Sequence, residues 1–266
     1  MTLSGGTLGD STTMVDGGID AVAVPLLTGV EGDDGAQPGE GAAEAAARYG
    51  IDLAEIADRV GLTGTAGESY VLQLPRAVGS AVSLPWAGLP PRIVLLGVGQ
   101  NTGPDLRRAG AALARATRGL SRVLTTAGAQ PRQSASQAAE AARAFVEGYL
   151  LAAYTPPTAA ATKPKRAAEL VLLGRDGTRA SAAVSAARVA AHATWLVRDL
   201  ATTPSSTKTP AWFAEQAKRL AGRAELAVQV RGPRELAAEG FGGILAVGSG
   251  SASTPRLVTV TYAPAG

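Results

Sequence analysis

Residues 19–27 (IDAVAVPLL) and 92–98 (RIVLLGV) are short, nearly unbroken aliphatic runs, the pattern of strands covered on both faces. Between and after them the apolar positions switch to helical spacing. Residues 42–60 predict a helix broken at Gly50, and Pro104 and Asp105 open a helix reaching about Leu120. Residues 134–154 carry an apolar stripe through Ala138, Ala142, Phe145 and Leu150, closed by Pro156 and Pro157. Further strands are predicted over 70–74, 122–126 and 169–173, and Asp176-Gly177 marks a turn. This alternation predicts an α/β layer domain over 19–178. The small polar stretch 1–18 reads as a flexible tail.

Residues 180–200 hold neither Gly nor Pro and predict a long helix linking two domains. Residues 203–206 are turn-rich, and Thr209-Pro210 caps a helix to about Ala221. A strand over 225–230, a short helix over 233–239 ending at Gly240, and a β-prone strand over 256–262 complete the chain. Segment 201–266 is too short to build a stable α/β sheet alone, so it reads as the incomplete beginning of a second α/β domain.

Composition narrows the class. The 266 residues are 46% hydrophobic but only 4% aromatic, so Ala, Val and Leu must fill the core. The net charge of +3 is too small and dispersed to specify nucleic acid. The absence of Cys excludes disulfides, zinc fingers and thiol catalysis. The first residues lack the basic and apolar regions of a signal peptide, and no aliphatic run is long enough to span a bilayer. The expectation is a soluble cytoplasmic protein with no membrane partner.

Five features invite a chemical reading. Gly97-x-Gly99 follows a strand and precedes a helix, but Thr102 stands where a dinucleotide fingerprint needs its third glycine, so a tight turn is favoured. If a ligand binds there, residues 102–105 are the place for its phosphate. His192 is the only histidine, with Ser185 and Asp199 seven residues away on either side. One straight helix cannot converge them into a triad, and a lone His makes no His-rich zinc site. The run 163–166 (KPKR), the acidic set Glu31, Asp33 and Asp34, and the stretch 248–253 (GSGSAS) each read as solvated loops or turns.

Two longer stretches say more. Residues 195–220 contain Arg198-Asp199-Leu200, where Arg198 and Asp199 are expected to end a helix, then Pro204-Ser205 and Thr209-Pro210. Residues 242–262 contain Gly242-Gly243, read as a turn, then AVGSGS over 246–251 and Pro255-Arg256-Leu257. In this order and spacing they resemble the leucine (cytosol) aminopeptidase family. LLGVGQ at 95–100 and EGYLLAAY at 147–154 resemble its accessory domain more loosely.

The resemblance implies a macro-like three-layer N-terminal domain over 19–178, a linking helix over 179–200, and the start of a metallopeptidase catalytic domain over 201–266. It implies peptide substrates, a homo-hexamer when complete, and two divalent ions, Mn or Zn, that activate a water. Some members bind DNA through accessory surfaces, but nucleic acid is not expected as a partner here. The family's ligands come from a Gly-Lys-Gly segment with a following Phe-Asp and from an Asn-Thr-Asp-Ala-Glu-Gly-Arg segment. Neither occurs here, and Lys163, Lys165, Lys208 and Lys218 all lie in other contexts. No catalytic, cofactor-binding or metal-ligating residue is therefore assigned, and the chain itself is expected to be inactive, an N-terminal piece ending before the ligands. The alternative is a free-standing module that binds a nucleotide or nucleic acid.

Overall fold

The computed structural model describes residues 1–16, 18–29, 35–75, 84–156, 167–223 and 226–263. The expectations placed on Glu31, Asp33, Asp34, Pro157, 163–166 and Glu225 lie outside these residues. The chain divides into two compact units, Met1–Arg198 and Asp199–Gly266.

The first unit contains β1 (Thr2–Ser4), α1 (Thr13–Asp16), β2 (Ala21–Leu27), β3 (Gln37–Pro38), α2 (Ala42–Tyr49), α3 (Leu53–Arg59), β4 (Ser69–Gln73), β5 (Arg92–Gly99), α4 (Gly103–Ala116), β6 (Arg122–Thr125), α5 (Ala135–Ala153) and β7 (Glu169–Leu173). The helix α6 (Gly177–Thr202) follows, and the division between the units falls within it. The strands form one sheet in the order β1-β7-β6-β2-β5-β4, with β3 paired to β2. Its interior is parallel, while β4 and β3 run antiparallel to their neighbours.

The strand alternation sorts the core into two layers. Ala21, Ala23, Val94, Leu96, Leu170 and Leu172 pack against α4, α5 and α6. Val22, Val24, Ile93, Leu95, Val171 and Leu173 face α2 and α3. A strand buried on both faces has no polar face to show, which is why these segments read as continuous apolar runs. The mixed α/β fold with a parallel sheet is thus in place.

Local chemistry sets the helix ends. Gly50 takes φ 63°, a left-handed cap that separates α2 from α3. The Ser134 hydroxyl accepts from the Gln137 N–H, and the Gln137 side chain accepts from the Ser134 N–H, a reciprocal cap on α5. At the other end of α5, Trp195 Nε1 donates to the Leu150 carbonyl at 3.0 Å and Arg198 Nη1 donates to Leu151 at 2.9 Å. The Arg198 guanidinium also stands 5.3 Å from the centre of the Tyr154 ring. Arg198 and Asp199 do not end their helix as expected, since α6 runs on to Thr202. Arg198 instead satisfies the Leu151 carbonyl, and Trp195 that of Leu150, both left free by the end of α5.

The expectation of a flexible tail over 1–18 is corrected. β1 pairs in parallel with β7, and Leu8 and Met14 are buried. Isolated apolar residues among glycines carry no periodic signal, so the segment is organised only by tertiary contacts: the edge of β7, the core that takes in Leu8 and Met14, and Arg48 of α2, which donates to the Leu8 and Ser11 carbonyls.

The second unit comprises α7 (Pro210–Arg223), β8 (Ala227–Arg231), α8 (Pro233–Ala238), α9 (Gly242–Gly248) and β9 (Leu257–Thr261). Thr209 Oγ1 accepts from the Trp212 N–H at 3.2 Å and caps α7. β8 and β9 pair antiparallel as a two-stranded sheet. The turn expected at Gly242-Gly243 is instead the first turn of α9, where backbone N–H groups need no helical partner and glycine is tolerated. Only Ala214, Ala221 and Leu236 are buried apolar residues among those described in this unit.

Candidate functional site

The chain passes from β2 to β5 on one side, then across β2 to β6 and outward to β7. This reversal opens a crevice beyond the carboxyl ends of β2, β5 and β6, where open α/β sheets bind ligands. Pairing between β2 and β6 stops at Ala23 and Thr125, so Pro25, which has no N–H to donate, lies beyond the shared ladder. A pocket of about 420 Å³ lies here, lined by Pro25, Leu27, Glu40, Glu44 and Val98 among others. A second pocket of about 250 Å³ adjoins it through Asn101 and Gln130, and is lined further by Gly103, Leu106, Gln133 and Glu140. Asn101 takes φ 60°, and its Oδ1 is buried without a hydrogen-bond partner among the described residues.

The expected phosphate position at 102–105 is already filled by the protein. Asp105 Oδ2 accepts from the Gln100 N–H at 3.2 Å and from the Thr102 hydroxyl at 2.7 Å. Its other oxygen accepts from Arg108 at 3.3 Å. A carboxylate thus occupies the positive start of α4 that an external anion would need. Gly97 and Gly99 serve the backbone. Gly97 exchanges hydrogen bonds with Gly67 and Glu68, and Gly99 donates to the Gly64 carbonyl at 2.9 Å. A Cβ on Gly97 would run into the Thr65 carbonyl oxygen. The paired glycines admit the 64–68 turn and leave no face open for a pyrophosphate.

His192 is exposed on α6 and stacks obliquely with Trp195, ring centres 5.2 Å apart. Seven residues of helix put Ser185 about 10 Å away along the axis, so these residues form no triad. The 248–253 stretch satisfies itself. Ser249 Oγ donates to the Ala246 carbonyl at 2.7 Å, and Ser251 Oγ accepts from the Ser253 N–H at 3.1 Å.

Sequence reasoning missed Arg175. It follows Gly174, whose φ is 71°, just beyond β7, and it is only 3% exposed. Its Nη1 donates to Gln133 Oε1 at 3.3 Å, while Nε and Nη2 have no partner among the described residues. Burial pushes its guanidinium down to about 10, so it stays charged at neutral pH. Nothing in the local sequence distinguishes this arginine from a solvated turn residue, because its burial comes from Gln133 and Gly128 packing over it.

Among the described residues no group of three His, Cys, Asp or Glu side chains is placed to hold a metal ion. The residues described here therefore do not fit a two-metal centre, and no reaction step can be assigned to them.

Comparison with known proteins gives both halves of the chain a setting. A family model described as the cytosol aminopeptidase family, N-terminal domain, matches residues 24–163. Another, described as the cytosol aminopeptidase family, catalytic domain, matches 195–266. A probable cytosol aminopeptidase of Cutibacterium acnes is 34% identical over 254 residues, covering 94% of this chain and 47% of the relative. One from Corynebacterium diphtheriae is 34% identical over 256 residues, covering 92% and 46%. The chain thus spans about half the length of the curated relatives it matches. Among solved structures, the bottromycin maturation enzyme BotP in complex with Mn aligns with a TM-score of 0.68 at 28% identity, over 92% of this chain and 45% of that one. A tomato leucine aminopeptidase mutant aligns with a TM-score of 0.77 at 17% identity, over 98% and 50%, a likeness of fold alone.

Proposed function

The chain belongs to the cytosol aminopeptidase family, and from that premise we propose that it forms the N-terminal domain and the opening of the catalytic domain of a metal-dependent aminopeptidase. The complete protein releases N-terminal amino acids from peptides. Two divalent ions, Mn or Zn, would supply the Lewis acidity for that hydrolysis in the complete protein. It works in the cytoplasm as a homo-hexamer. The domain limits are an accessory domain that runs to 178 and takes in the first residues as well, since β1 joins its sheet, then a linking helix over 179–200 and the first part of the catalytic domain over 201–266.

The observation that carries this reading is the order of the two family matches, N-terminal domain at 24–163 and catalytic domain at 195–266. The second match argues against a free-standing nucleotide-binding module, which has no use for the start of a peptidase domain. No described helix is long and apolar enough to cross a membrane.

The test compares two proteins, residues 1–266 and the product of an uninterrupted downstream reading frame. Each is assayed for release of leucine from a leucyl anilide with Mn²⁺ or Zn²⁺ added. The longer protein should turn over substrate and lose activity to a chelator, and residues 1–266 should give the blank rate. Turnover by residues 1–266, or a metal-loaded longer protein that leaves peptides intact, overturns the proposal.

A further inference from the structure

We propose that the smaller pocket, between the start of α4 and the start of α5, binds a tetrahedral oxyanion, phosphate or a phosphomonoester, with Arg175 as its counter-charge. This goes beyond the peptidase reading, since the pocket lies wholly within the N-terminal unit.

The argument begins with a buried cation. Arg175 lies almost entirely out of water, and two of its three guanidinium nitrogens have no hydrogen-bond partner among the described residues. An arginine cannot shed its proton to escape such a site. A buried charge persists when a partner compensates it. The partner observed is the neutral Gln133 amide, at a long 3.3 Å. Among the described residues the guanidinium therefore lacks charge compensation and partners for at least three of its five N–H donors.

The pocket lies next to it. Gln133 lines the pocket, bonded through Oε1 to Arg175 and through Nε2 to the Gly128 carbonyl at 3.2 Å. A Cβ on Gly128 would stand 3.1 Å from Arg175 Nη2, 3.5 Å from Leu106 Cδ2 and 3.6 Å from Ala141 Cβ, and the last two residues line the pocket. Gly128 takes φ 82°, so the backbone also favours glycine there. The guanidinium is thus one side-chain layer behind the pocket wall, and rotation of Gln133 opens it.

The surroundings select the ligand. Asn101, Gln130 and Gln137 offer neutral amides to an oxyanion. Asp105 spends its charge on the α4 start and Arg108. Glu140, the one carboxylate among the described lining residues, is exposed to water. The guanidinium fork matches the oxygens of a phosphate. The adjoining pocket, with apolar Pro25, Leu27 and Val98 and acidic Glu40 and Glu44, fits a neutral or cationic organic body and repels a polyanion such as nucleic acid.

The experiment is thermal unfolding of residues 1–266 at constant ionic strength, with inorganic phosphate titrated against chloride. A ligand that binds only the native state raises Tm with its concentration. Phosphate should raise Tm where chloride does not. Phenyl phosphate should reach the same shift at lower concentration, and a response to phosphate without one to phenyl phosphate would assign the site to the free ion. Arg175→Met should abolish the phosphate-dependent shift. Gln133→Glu, which sets a carboxylate against the guanidinium, should raise Tm in chloride and also abolish the shift, so a poorly folding Arg175 variant does not leave the question open. The proposal fails if phosphate and chloride act alike, or if Arg175→Met or Gln133→Glu keeps the phosphate response.

Discussion

Gly110 on α4 and Gly148 on α5 let two helices meet backbone to backbone. A Cβ on Gly110 would strike the Phe145 carbonyl oxygen, and a Cβ on Gly148 would strike the Arg107 carbonyl oxygen. This contact brings α4 close against α5 on one face of the sheet, and the starts of both helices line the smaller pocket. Gly→Ala inside a helix ordinarily gains up to about 1 kcal/mol. Here overpacking against rigid backbone costs about 1–3 kcal/mol or more and wins. Gly110→Ala and Gly148→Ala should each lower the midpoint of urea unfolding. Gly222→Ala on α7, with open space around it, should be neutral or slightly stabilising. Equal midpoints for all three would refute the close approach.

Tyr149 joins α5 to the segment before β7, since its hydroxyl donates to the Ala168 carbonyl at 2.7 Å within the core. Tyr149→Phe leaves that carbonyl unpaired and should cost about 1–3 kcal/mol, read from chemical denaturation.

Burial pushes the Tyr149 phenol up to about 12 and raises that of Tyr49 further. The fold favours the neutral phenols, so their contribution is complete below the unfolded value and is lost as pH rises through the folded one. Phenolate absorbance should show these two of the five tyrosines resisting ionisation until the protein unfolds in alkali. Smooth ionisation of all five near the ordinary value would contradict this.

Glu169 ties the edge of the sheet together. The Thr2 hydroxyl donates to it at 2.8 Å, the Met1 ammonium lies 3.6 Å away, and Arg122 Nε lies 3.3 Å away. Chiefly the Thr2 hydrogen bond, with help from these cations, holds its carboxyl below the usual range. A lowered folded value means stability present above the unfolded value and lost as pH falls through the folded one. The protection of β1 amides, taken relative to the intrinsic exchange rate at each pH, should therefore fall in acid, and Glu169→Gln should show lower β1 protection already at neutral pH. The effect on global stability should be small, because the carboxylate is solvated.

The second unit should open first. Its sheet has two strands and its apolar core few residues, while Val260 and Tyr262 are 50% and 75% exposed. Amides of β8 and β9 should exchange well before those of β2 and β5. The outer edge of β9, which has no strand partner among the described residues, should promote association that Val260→Lys suppresses. A β9 as protected as β5 in a monodisperse sample would oppose both expectations.

The sequence by itself determined the elements that carry their own signal. The aliphatic runs became β2 and β5, Ser134 with Gln137 started α5, Gly50 parted α2 from α3, and Thr209-Pro210 opened α7, because burial on both faces and end-capping are local matters of residue type and spacing. The family resemblance was equally legible at 195–220 and 242–262. Tertiary structure alone decided the rest. β1 exists because β7 offers an edge, and Arg198 caps α5 because α6 brings it there. Arg175 loses its water only when Gln133 and Gly128, some forty residues earlier in the chain, pack across it. Solvation is set by what folds around a group, and no reading of neighbours along the chain can supply it.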